Sequence, residues 1–104
     1  MKRIQLRVIP DDRATPGTAE YTANVLDWSE AIRQVLRRPL DPQKGADIEE
    51  LRRSIRVLDA LEVANGTLEL EDADWDHLCQ KVRAMQWAFV DRRIVHLIDD
   101  VLDA

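Results

Sequence analysis

Cysteine, glycine and long apolar runs are all scarce in this 104-residue sequence. The one cysteine, Cys79, excludes an internal disulfide and any multi-cysteine metal knuckle, and its solitude points to a reducing, cytoplasmic setting. Three glycines leave little material for extended loops or phosphate cradles. Neither a Walker loop nor a dinucleotide fingerprint is present. No apolar run approaches the roughly 18 residues that a membrane helix needs. The start, MKRIQLRVIPDD, does not read as a signal peptide, because Arg7 interrupts the apolar stretch and no small-residue cleavage site follows.

What is present is globular in composition, 45% apolar and 34% charged, and the length suits one domain over 1–104 with one core. The net charge of −5 is unevenly spread: residues 1–56 carry a balance of +2 and residues 57–104 a balance of −7. Overall acidity argues against a general nucleic-acid binder. The asymmetry leaves room for a local basic patch, or for attraction between the two halves.

The periodicity predicts an α+β fold: a short two-stranded antiparallel sheet (about 3–9 and 67–71) packed against three to four helices (about 22–37, 47–64, 74–86 and 90–103). Ile4, Leu6 and Val8 alternate with Arg3, Gln5 and Arg7, the pattern of a half-buried strand ending at Pro10. Residues 10–20 are rich in turn formers and read as a loop. Val25, Trp28, Ile32 and Val35 or Leu36 recur at helical spacing until Pro39 and Pro42 stop them. Asp47 reads as the N-cap of the next helix, with Glu50 completing a variant capping box. Its apolar stripe is Ile48, Leu51, Ile55, Leu58 and Leu61, and Asn65-Gly66 is the stop. Leu68 and Leu70 point inward from the second strand. Trp75, Leu78, Cys79, Val82 and Met85 point inward from the helix after it. The last apolar set, Val90, Ile94, Leu97, Ile98, Val101 and Leu102, is rotated away from that stripe, which predicts a break between Gln86 and Asp91.

Five acids fall within Glu69 to Asp76. Asp72, Asp74 and Asp76 match the first three ligands of a calcium loop, but His77 stands where a glycine belongs and Arg83 where a bidentate glutamate belongs. A structural role uses all five. Glu69 and Glu71 face Arg3 and Arg7 across the sheet, Asp72 or Asp74 caps the helix, and Asp76 meets the positive end of its dipole. No metal and no cofactor is expected. His77 and His96, nineteen positions apart, read as surface histidines. Cys79 reads as a buried thiol with no histidine one turn away to activate it. Ser29 and Ser54 lack a nucleophile context. No catalytic residue is assigned, and the expectation is a protein that is not an enzyme.

Two surfaces are candidates for binding. Arg52, Arg53 and Arg56, with Arg37 and Arg38 nearby, form the best basic cluster, but Glu49 and Glu50 share the region and no aromatic residue interleaves for base stacking. A nucleic-acid-binding regulator is the alternative these arginines keep open. The C-terminal segment has an apolar arc of about 160°, wider than the roughly 100° of a surface helix. Trp87, Phe89, Ile94, Ile98 and Leu102 are its candidate partner surface. The same helix could instead be a central core element. Asp99, Asp100 and Asp103 oppose its dipole near the C-terminus and call for a cation, from the basic first half of the same molecule or across a homodimer.

The stretches RRSIRVLDAL (52–61), LELEDADW (68–75) and DRRIVHLIDDVLDA (91–104) resemble small acidic proteins encoded in the morphogenesis regions of tailed phages and prophages. The resemblance covers about residues 45–104. It implies a phage-derived helper or minor structural protein that acts through protein contacts, possessing no defined catalytic residues. Whether it is a tail-assembly chaperone, a head–tail accessory or a regulator stays open.

Overall fold

In the computed structural model, which describes residues 1–10, 25–87 and 90–104, the alternating N-terminal stretch makes two strands instead of one. β1 (Lys2–Gln5) pairs antiparallel with β4 (Thr67–Leu70), with Arg3 opposite Glu69 and Ile4 opposite Leu68. The partner runs out at Gly66, which takes φ +80°, a turn conformation glycine adopts without strain. Leu6 still donates to the Gly66 carbonyl at 2.8 Å, but the Arg7 carbonyl accepts from Trp28 N at 2.9 Å. β2 (Val8–Ile9) accordingly pairs antiparallel with β3 (Leu26–Asp27). The change of partner breaks the alternation: Ile4 is buried, Leu6 half-buried and Val8 exposed.

α1 spans Trp28–Arg37. Residues 22–24 of the helix expected over 22–37 lie outside the described residues, as does nearly all of the expected loop over 10–20. Leu26 and Asp27 are strand rather than helix, because Asp27 is the N-cap: its carboxylate accepts from Ser29 N at 2.9 Å. Trp28, Ile32, Val35 and Leu36 are buried, whereas Val25 is exposed.

α2 spans Ile48–Glu62 and is capped by Asp47, whose Oδ1 accepts from Glu50 N at 2.8 Å. The reciprocal half of the capping box does not form, because the Glu50 carboxylate is engaged elsewhere. In the expected Asn65-Gly66 stop, Gly66 takes a positive φ and Asn65 does not. α3 (Asp72–Ala84) starts two residues before the expected 74, with Glu71 as its N-cap and no side-chain capping bond. Asp72 and Asp74 are therefore first-turn acids, not the cap. The break after α3 falls where the rotated apolar sets require it. Met85 is extended, and α4 (Arg92–Asp103) begins after Asp91, whose Oδ1 accepts from Arg93 N at 2.9 Å.

The described residues thus form an α+β fold of four helices and two small antiparallel sheets. Trp28, Ile32 and Val35 of α1, Val57 and Leu61 of α2, Ile4 and Leu68 of the sheet, Trp75 and Leu78 of α3, and Leu97 and Val101 of α4 share one apolar cluster. Trp75 Nε1 donates to the Val101 carbonyl at 3.0 Å, fastening α4 to α3. Among the described residues, no helix is long and apolar enough to cross a membrane.

Candidate functional site

The inward line of α2 is not its most apolar one. Glu50, Ser54, Val57 and Leu61 recur at helical spacing, and the last three are buried. From α3, His77 and Lys81 sit one turn apart and are likewise buried. The two pairs meet rung by rung between antiparallel helices. Ser54 Oγ lies 2.9 Å from His77 Nε2, and Lys81 Nζ donates to Glu50 Oε2 at 2.8 Å. Lys81 also donates to the carbonyl of Arg38, and Glu50 Oε2 accepts from Leu40 N at 3.1 Å. The polar ladder therefore holds the α1–α2 connector as well as the two helices. One rung further along, at the rim, Arg56 Nε pairs with Asp74 at 3.3 Å.

Every buried charge in this ladder is partnered, as burial demands. Burial lowers the pKa of His77 below its ordinary 6.5, and the nearby Lys81 ammonium lowers it further. The imidazole is therefore neutral at pH 7. A hydroxyl beside a neutral imidazole resembles a nucleophile with its base. Here, among the described residues, no carboxylate hydrogen-bonds the other ring nitrogen, and both side chains are nearly sealed from solvent. The pair satisfies two buried polar groups.

The ladder fixes how α2 is rotated about its axis, and the rotation has a consequence. Ile48, Leu51 and Ile55, three members of the expected inward stripe, face solvent with 58%, 47% and 52% of their surface exposed. Leu61 alone of that stripe is fully buried, and Leu58 is half-buried against the core. Beside this seam runs an open groove of about 230 Å³, with Leu36 and Pro39 on one side and Leu51, Ile55 and Leu58 on the other. A second cleft, of about 300 Å³, opens across the Arg38–Leu40 connector between Val35, Leu40 and Met85. Lys81 lines both.

The C-terminal candidate surface is differently disposed. Ile94 is buried, Trp87, Ile98 and Leu102 are half-buried, and Phe89 lies outside the described residues. Among the described residues, the large apolar side chains that α4 and its approach leave exposed are Val90 and Val95. The cation wanted near the α4 C-terminus comes from the same molecule, since Arg7 Nε lies 4.0 Å from Asp100, which His96 also approaches at 3.7 Å. At the other end of α4, Arg93 binds Asp91 at 2.7 Å and donates to the Ile9 carbonyl at 3.0 Å, tying the helix to β2. Arg7 also stacks over the buried Trp28 ring at 5.7 Å, and His96 meets that ring edge-on at 5.1 Å. Trp28 Nε1 is a buried donor without a hydrogen-bond partner among the described residues.

Arg52, Arg53 and Arg56 are all exposed on α2, but Glu49 lies on the same side and Arg56 is paired with Asp74. The acids from 69 to 76 do not converge. Glu69 pairs with Arg3 at 3.4 Å, Asp72 with the N-terminal ammonium at 3.4 Å, and Asp74 with Arg56, while Arg7 turns to Asp100 and not to Glu71. Among the described residues, no three His, Cys, Asp or Glu side chains are grouped as metal ligands. Cys79 is half-buried with its Sγ 3.8 Å from the Val101 carbonyl, and burial raises its pKa despite the pull of Arg83.

Sequence reasoning placed His77 on the surface, and it is buried; it also missed the Ser54, Lys81 and Glu50 contacts altogether. Hydropathy hides such groups, because each polar residue lowers the apparent inward character of its helix. A signal was nonetheless available: two i, i+4 polar pairs, Glu50/Ser54 and His77/Lys81, of matched chemistry on consecutive helices. No family model, no curated protein and no solved structure matches this chain.

Proposed function

We propose that this chain is a protein-interaction module without catalytic activity, a phage- or prophage-encoded assembly or accessory protein acting in the cytoplasm of a bacterial host. The phage assignment rests on the likeness of residues 45–104 to morphogenesis-region proteins. The contact assignment rests on one observation: the exposed apolar seam of Ile48, Leu51 and Ile55 beside an open groove. Single apolar side chains on a surface need no explanation, but a contiguous stripe along a helix, next to a concave wall, is what protein contact sites present. Burying what remains exposed of each of these side chains returns about 1 kcal/mol. The polar ladder beneath keeps α2 from rolling its seam into the core.

The test is photocrosslinking in the producing cells from a benzoylphenylalanine at Leu51, with Arg83 on α3 as the control position. Discrete, light-dependent adducts from position 51, weak or absent from position 83 and lost when Ile55→Asp is added, support the contact face. Equal labelling from both positions, or none, contradicts it.

A further inference from the structure

We propose that a second copy of this chain occupies the α2 seam, the two helices pairing antiparallel about a twofold axis. This rests on the reading of that face as a contact surface and names its occupant. Ile48, Leu51, Ile55 and Leu58 alternate at spacings of three and four, the a and d positions of two consecutive heptads. When two copies cross midway along the run, Ile48 stacks on Leu58 of the copy and Leu51 on Ile55 of the copy. Symmetry repeats both contacts, giving four apolar layers from one patch. Leu58 forms part of the groove wall. The incoming Ile48 therefore fills the groove, and the chain closes its own concave surface with its own seam.

Charge selects the orientation. The two edges of the seam differ. One edge is Ser54 and Leu61, both buried in the chain's own core. The other is Arg52 and Asp59, both exposed, seven positions apart and, among the described residues, without an ion-pair partner. In an antiparallel pair like edges meet, so the Arg52–Asp59 edge of one copy lies along that of the other. Helical side chains lean toward their own N-terminus. Arg52 of one copy and Asp59 of the other therefore lean toward each other, twice per dimer. A parallel pair would set this outer edge against the uncharged Ser54–Leu61 edge and leave Arg52 and Asp59 without a mate. Of the other charges near the contact, Arg56 is held by Asp74 and Glu50 by Lys81, while Arg37 and Arg38 stand on the groove wall opposite the seam.

Four layers on a 15-residue helix make a reversible dimer, whose population depends on concentration. Sedimentation velocity of the full chain, from a few micromolar to about 0.5 mM, is the experiment. The weight-average mass rises from 12.0 kDa toward twice that value as concentration increases. Ile55→Asp holds it at the monomer mass throughout while leaving the circular dichroism spectrum unchanged and, at dilute protein where neither chain is dimeric, the melting temperature as well. Arg52→Asp and Asp59→Arg each weaken the dimer about tenfold or more, close to 1.4 kcal/mol, and the double variant R52D/D59R recovers most of the loss. A monomer at every concentration, a dimer indifferent to Ile55→Asp, or a double variant no better than the singles overturns the proposal. A monomer that still crosslinks from position 51 to another protein defeats the homodimer alone. A monomer that crosslinks to nothing defeats the contact face as well.

Discussion

Lys81 Nζ and Glu50 Oε2 lie 2.8 Å apart between α2 and α3, their side chains 2% and 10% exposed. The distance joins a helix that begins just after the connector to one that follows the second strand of the sheet, and it does so in a nearly dry place. Breaking such a pair from one side strands a buried charge. Lys81→Met alone is expected to destabilise the protein by about 3 kcal/mol, and Glu50→Leu by a similar amount, since it also frees Leu40 N. The double replacement recovers much of the loss. Urea unfolding of the two single variants and the double variant checks this, and additive single effects would contradict it.

Leu51 and Leu61 are the same residue type on the same helix with opposite fates. Leu61 is 3% exposed and belongs to the core, so Leu61→Ala is expected to lower stability by about 3 kcal/mol through lost burial and a residual cavity. Leu51→Ala, on the outer seam, is expected to change it by less than about 0.5 kcal/mol. Chemical denaturation at dilute protein, where self-association does not contribute, separates the two. Equal losses would mean that α2 is rotated otherwise.

His77 supplies a pH dependence whose sign is fixed by burial. Its folded pKa lies below the unfolded 6.5, so the unfolded chain binds the proton more readily. The stabilisation is complete above pH 6.5 and is lost as pH falls from there toward the folded value. His77→Gln removes that portion of the slope. Denaturation midpoints of the two proteins, compared between about pH 7.5 and 5, should converge on acidification; parallel profiles would show that the imidazole does not titrate differently on folding.

Two arginine pairs should differ in weight. Arg3 and Glu69 meet at 3.4 Å on the open face of the sheet, where solvent screens them. Arg93 is largely buried, binds Asp91 with two nitrogens and also reaches the Ile9 carbonyl. Arg3→Met is expected to matter by less than about 0.5 kcal/mol, and Arg93→Met by about 2 kcal/mol. Thermal melts rank them, and a reversed order would contradict the assignment of Arg93 as the fastening between α4 and β2.

The elements marked by apolar periodicity were legible in the sequence. Ile4 with Leu68 and Leu70 gave the sheet and its pairing, and Asp47 gave the start of α2. The phase shift after Met85 gave the break before α4. What was not legible came from partners far apart in the chain. Strand β2 leaves β1 because Trp28 offers Arg7 a hydrogen bond, a fact about folding rather than about alternation. Glu50 deserts the capping box because Lys81 and Leu40 hold it. The seam of α2 has the pattern of a core stripe, and only the Ser54–His77 and Glu50–Lys81 contacts disclose that a less apolar line wins the inside.

The central claim is that this polar ladder turns the α2 seam outward. The direct measurement is the rate at which a thiol reagent modifies single cysteines placed along α2 in a Cys79→Ser background, at concentrations low enough to keep the chain monomeric. The account predicts fast modification of cysteines at Ile48, Leu51 and Ile55, and protection of about a hundredfold or more at Val57 and Leu61, where labelling awaits unfolding. Protection at position 51 matching that at position 61 would contradict it.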